Sequence, residues 1–160
     1  VVSSLWGRTT PDRGRVRMVD RDILRAKTAA IKHHVGRLRS RLSLDAAMLA
    51  SDEDLRNVVL MDLQQSIQGA IDLAVHACVD DGLGPPEGPA SAFAALAEAG
   101  YISNDLAIRL AGASGFRNLI VHRYGDLKMD ILVATMEKGL NDLEEFVASV
   151  WRRTGGPRES

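Results

Sequence analysis

At 160 residues, with 46% hydrophobic and 26% charged side chains, the sequence has the size and balance of one globular domain with a real core. Its single cysteine excludes an internal disulfide or a thiolate zinc cluster, and no apolar run nears the roughly 18 residues of a membrane span, so a cytoplasmic protein without membrane contact is expected. The net charge of -1 hides an uneven distribution: residues 1 to 41 carry 11 Lys or Arg against 3 Asp, and residues 42 to 160 carry 9 against 18 acidic residues.

Residues 1–17 show no apolar period and contain Gly and Pro, which predicts a flexible arm or a vector-derived segment ahead of a domain spanning residues 18–153. From Met18 a helix is expected with Ile23, Ala30, Ile31, His34, Leu38 and Leu42 on one side. Its other side carries Arg21, Arg25, Lys32 and Arg39 as a basic stripe, a candidate contact for RNA or a protein partner. The alternative is a solvated face paired with the acidic remainder of the chain. His33 and His34 are adjacent and point about 100° apart on a helix, with no Cys or acidic cluster beside them, so no metal site is expected there.

"SDED" at residues 51–54 reads as a second helix start, with Ser51 as N-cap and the acidic residues at the positive end of the helix dipole. Leu55, Val59, Leu63, Ile67, Ile71, Ala74 and Cys78 then repeat at helical spacing until "DDGLGPPEGP" stops the helix. Gln68, Asp72 and His76 form a polar row on it, read as a hydrogen-bonded seam between two copies, with Asp72 also a candidate partner for the arginine or histidine discussed below. A short third helix is expected around residues 91–98, closed by Gly100, and Ser103 is expected to cap a fourth running toward Gly125. Gly112 and Gly115 weaken that helix unless its backbone must approach something closely. A fifth helix carries Leu132, Met136, Leu140, Leu143, Val147 and Val150 on one face, before a flexible tail at residues 154–160. With no convincing strand, the pattern is all-α: an antiparallel bundle of four long helices and one short one.

The stretch "RNLIVHRY", residues 117–124, is more polar than packing requires. On a regular helix Arg117 and Tyr124 lie on nearly the same face, and His122 stands one turn above Asn118, whose amide could hold the imidazole. A helix ending near His122 lets the ring swing toward the arginine. A guanidinium can grip a phosphate and stabilise charge growing on its oxygens, while an imidazole moves protons near neutral pH. The plainer reading makes both residues caps and dipole partners of a helix C-terminus.

These residues resemble the R-x4-H-x-Y signature of the HEPN-domain ribonuclease toxins, in particular the HepT-like branch, including the asparagine after the arginine. The likeness extends over residues 18–153: a basic first helix, a long "LQQSIQGAIDLA" second helix, a Gly/Pro-rich turn, and "GFRNLIVHRY" before a terminal amphipathic helix. The resemblance implies an all-helical HEPN homodimer that cleaves RNA without metal or cofactor, its two motifs facing each other across the dimer cleft. It implies that Arg117 and His122 are catalytic, that Asn118 positions them, and that Tyr124 receives AMP from a nucleotidyltransferase antitoxin. The alternative is a non-catalytic HEPN module that docks a nucleotidyltransferase or binds nucleotide or RNA.

Overall fold

The computed structural model describes residues 13–154, with side chains from residue 21 onward. Six helices follow one another: α1 (Arg13–Arg39), α2 (Ala46–Ser51), α3 (Glu53–Asp80), α4 (Pro89–Glu98), α5 (Asn104–His122) and α6 (Met129–Thr154), with a 3-10 turn at Tyr124–Asp126. The described residues contain no strand, and the all-α expectation holds. None of these helices is long and apolar enough to cross a membrane. Of the expected flexible ends, residues 1–12 and 155–160 lie outside the described residues, and α1 is helical from Arg13, ahead of the expected start at Met18.

Helix α3 is the hub, touching α1, α2, α4, α5 and α6. Its sequence explains that position. Val59, Leu60, Leu63, Ile67, Ala70, Ile71, Leu73, Ala74, Ala77 and Cys78 are all buried, an apolar face too broad for a single neighbour. On α1 the buried line is Leu24, Thr28, Ile31, Val35 and Leu38, at alternating spacings of four and three. Ile23 and Ala30, expected on that face, are exposed, while Leu24 and Ile31, one position along, are buried. On α6 the six apolar residues expected from the sequence are all buried, each contributing about 1.5–3 kcal/mol when fully removed from water.

Helices α3 and α6 each run antiparallel to α1. Arg37 and His34 of α1 meet Asp62 of α3, while Ile31 lies against Gly69, so rising numbers on one helix match falling numbers on the other. Likewise Trp151 Nε1 donates to Thr28 Oγ1 at 3.0 Å, and Arg39 reaches Glu144 at 2.8 Å, which lays α6 back along α1. Arg109 of α5 donates from Nε to both carboxylate oxygens of Asp142 on α6 at 3.1 Å. Phe93 and Phe146 meet edge to face, their centroids 5.4 Å apart, and lock α4 onto α6.

Two local readings change. The sixth, very short helix α2 was not expected, and it takes Ser51 as its last residue. The N-cap of α3 is therefore Asp52, whose carboxylate accepts from the Leu55 amide at 3.0 Å. Ser103 does cap α5, accepting from the Leu106 amide at 3.1 Å. Gly100 does close α4: it sits at φ 86°, a left-handed conformation that a side chain would strain.

Candidate active site

Helix α5 delivers the motif to the end of the bundle. It ends at His122 because Arg123 leaves helical geometry (φ −137°, ψ 45°), and the following 3-10 turn carries Tyr124 away from the helix axis. Ile120 is buried and anchors this end, while Asn118, Val121, His122, Arg123 and Tyr124 are exposed around it. Four polar side chains and Val121 thus surround one buried apolar peg.

Arg117 is half-buried, its Nη1 donating to Asn118 Oδ1 at 3.0 Å. Its Nε is fully buried and has no partner. A desolvated donor left unpaired costs about 1–3 kcal/mol. Asn118 thus accepts from the arginine, and among the described residues no hydrogen bond joins it to the imidazole it was expected to hold. His122 is exposed in the last turn of α5. Among the described residues no hydrogen bond or ion pair joins Arg117 to His122. Five residues of regular helix set them about 140° apart, and the swing toward the arginine is not made in the single chain.

Tyr124 turns to α3 instead. Its hydroxyl accepts from Arg56 Nε at 2.8 Å and donates to Asn57 Oδ1 at 2.8 Å, with the Arg56 guanidinium 5.9 Å from the ring centroid. The sequence did not single out Arg56 or Asn57, though a signal was present. An arginine in the opening turns of a helix opposes the dipole, which calls for a specific partner.

Asp62 was missed in the same way. It is buried in "VVLMDL", where an ionised group needs compensation, and it receives it from α1: His34 Nδ1 at 2.8 Å and Arg37 Nε at 3.0 Å from both oxygens. His34, expected among the apolar contacts of α1, is therefore a polar tie between α1 and α3. Among the described residues no group of three or more His, Cys, Asp or Glu is arranged to hold a metal.

The basic stripe divides. Arg21 and Arg25 are exposed, whereas Arg39 is bound to Glu144 and Asn141 of α6, as the solvated-face alternative has it for that residue. Lys32 is exposed and engaged in an interaction of its own. On α3, Gln68 donates to Asp72 at 2.9 Å, so Asp72 is engaged within its own helix rather than with Arg117 or His122. Cys78 is buried, its thiol donating toward the Ala92 carbonyl at 3.5 Å, and burial holds its pKa above the ordinary thiol range. A groove of about 320 Å³ opens between α5 and α6, lined by Leu63, Ile67, Phe116, Leu132 and Met136. Arg109, Thr135, Lys138 and Asp142 add polar groups to those apolar walls.

Comparison with known proteins matches residues 31–150 to the family described as ribonuclease HepT-like. The mRNA nuclease HepT of Shewanella oneidensis is 32% identical over 126 residues, which span 79% of this chain and 94% of that protein. The solved structure of the tri-AMPylated Shewanella oneidensis HEPN toxin in complex with MNT antitoxin superposes with a TM-score of 0.75 at 30% identity, covering 82% of this chain and 98% of that one. A toxin–antitoxin structure with AMP-PNP gives 0.74 at 30% identity over 81% of this chain and 98% of its own. The signature, the helix order and these matches agree: the chain belongs to the HepT-like ribonuclease family.

Proposed function

We propose that this chain is a metal-independent endoribonuclease toxin of a bacterial toxin–antitoxin pair, working in the cytoplasm as a homodimer and silenced when a nucleotidyltransferase antitoxin transfers AMP to Tyr124. The observation that carries the reading is Arg117, oriented by Asn118 and holding a buried Nε without an acceptor, close along α5 to an exposed histidine. A phosphate oxygen is the acceptor that suits a guanidinium so oriented. The Shewanella oneidensis relative, an mRNA nuclease, and the AMPylated toxin in complex with its antitoxin support the same reading.

RNA carries its own nucleophile. A base removes the 2′-OH proton, the oxygen attacks the adjacent phosphorus, and the 5′ oxygen leaves once an acid protonates it. Two His122 side chains, one from each copy, fill the two roles. Arg117 stabilises the charge that builds on the phosphorane oxygens.

A second copy also answers what the single chain leaves open on α5. Ile108, Ala111, Gly115, Asn118 and His122 follow one another at spacings of three and four on one side of that helix. Ile108 is 70% exposed, and a Cβ added at Gly112 or Gly115 would meet nothing within 4 Å. An exposed line of small and apolar residues leading to His122 is the surface on which a paired α5 brings the two motifs together. A phosphodiester on Tyr124 then puts a bulky anion beside the motif, where it repels the phosphates of RNA. Growth of cells expressing the chain tests the reading. Toxicity that disappears in Arg117→Ala with unchanged melting temperature is expected, and toxicity unaffected by that substitution contradicts it.

A further inference from the structure

Both hydrogen-bonding roles of the Tyr124 hydroxyl are filled, and the group that donates to it is itself anchored. Arg56 Nη1 donates to the carbonyls of Leu49 at 3.2 Å and Ala50 at 2.9 Å, in the last turn of α2 where helix carbonyls lack intrahelical partners. This fixes the guanidinium from one side and leaves its Nε edge on the phenolic oxygen. A guanidinium held by the backbone, with a forked edge turned to a tyrosine oxygen, is a phosphate receptor in waiting.

We infer that Arg56 is the binding residue for the phosphate carried by modified Tyr124, so that the modified side chain is clamped onto α3. This rests on the modification of Tyr124 proposed above. In that step the phenolic oxygen bonds to the α-phosphorus of ATP, the bond from that phosphorus to the β-phosphate oxygen breaks, pyrophosphate leaves, and the phenolic proton passes to water. The product oxygen has no hydrogen to give to Asn57, whose Oδ1 stands 2.8 Å away, so the Asn57 amide must rotate to present its NH2. Arg56 gains what Asn57 loses. The two non-bridging phosphate oxygens lie two bonds beyond the oxygen it already holds, and a single contact to a neutral hydroxyl becomes a two-pronged one to an anion. The antitoxin's mark is thereby fixed in place beside the end of α5, where a free tag would swing away.

The test uses the full chain carrying phosphotyrosine at position 124, introduced by genetic-code expansion, and follows the second phosphate ionisation by phosphorus NMR. The clamp predicts a pKa about one unit lower in the folded protein than in the same chain unfolded in urea, as an opposite charge within reach produces. Arg56→Gln is expected to remove most of that depression and Arg56→Lys to keep part of it. Asp52 and Glu53, the carboxylates that act on Arg56, are present in all three chains. Equal values folded and unfolded, or an undiminished depression in Arg56→Gln, overturn the inference. Because the probe needs neither RNA nor antitoxin, such a failure leaves the nuclease reading intact. Conversely, no mass increase on Tyr124 after incubation with ATP and the antitoxin removes the modification itself and not the phosphate site.

Discussion

The asparagine beside Arg117 sets where the guanidinium points. Asn118 takes one of its N–H groups, which leaves the remaining donors aimed by a fixed side chain instead of one searching its rotamers. Asn118→Ala is therefore expected to lower the RNA cleavage rate about tenfold through lost orientation. As an exposed position it should change stability by no more than about 0.5 kcal/mol. Parallel single-turnover kinetics and thermal melts check both halves. At this scale the motif was legible because "RNLIVHRY" stands together in the chain. Arg56 and Asp62 were not, since each owes its meaning to a partner on another helix: Tyr124 for the first, His34 and Arg37 for the second. Sequence marks such residues only by their oddness, a cation in the opening turns of a helix and an acid in an apolar run.

Between elements, the α1–α3 seam shows how closely the helices approach. A Cβ built on Gly69 would stand 2.7 Å from Ile31 Cγ1, and Ile31 is buried with no room to retreat. Helix propensity alone favours alanine over glycine by about 1 kcal/mol. Overpacking in a fixed core costs about 1–3 kcal/mol, so Gly69→Ala is expected to destabilise by about 1 kcal/mol net, measured by urea denaturation. Four long helices, their order and the cap at Ser103 were readable because apolar period and punctuation agree along them. The start of α3 was not: "SDED" offers several capping side chains in a row, and α2 claims the first of them. The face of α1 was blurred for a related reason, because apolar residues occupy both sides of its first turns and only packing decides which side turns inward.

For the molecule as a whole, the proposed homodimer divides the chemistry between copies. The single chain sets Arg117 and His122 on different sides of α5 and leaves Ile108 exposed on the side of His122. Ile108→Asp is expected to split the dimer, shown by sedimentation at micromolar concentration, and to remove RNA cleavage although Ile108 lies some 21 Å of helix rise from His122 at ~1.5 Å per residue. Pairing could be read from the sequence only as an expectation, since the line of residues on α5 that invites it becomes visible once the other faces are seen to be filled.

The most direct measurement is incubation of the purified chain, with mass spectrometry showing Tyr124 unmodified, with labelled single-stranded RNA and a transfer RNA in EDTA, beside His122→Ala. The native chain is predicted to cut RNA with the chelator present and His122→Ala to lose at least about 10²-fold in rate, the usual contribution of a positioned proton donor or acceptor. RNA left intact by the native chain, or cut equally by both, would contradict the account.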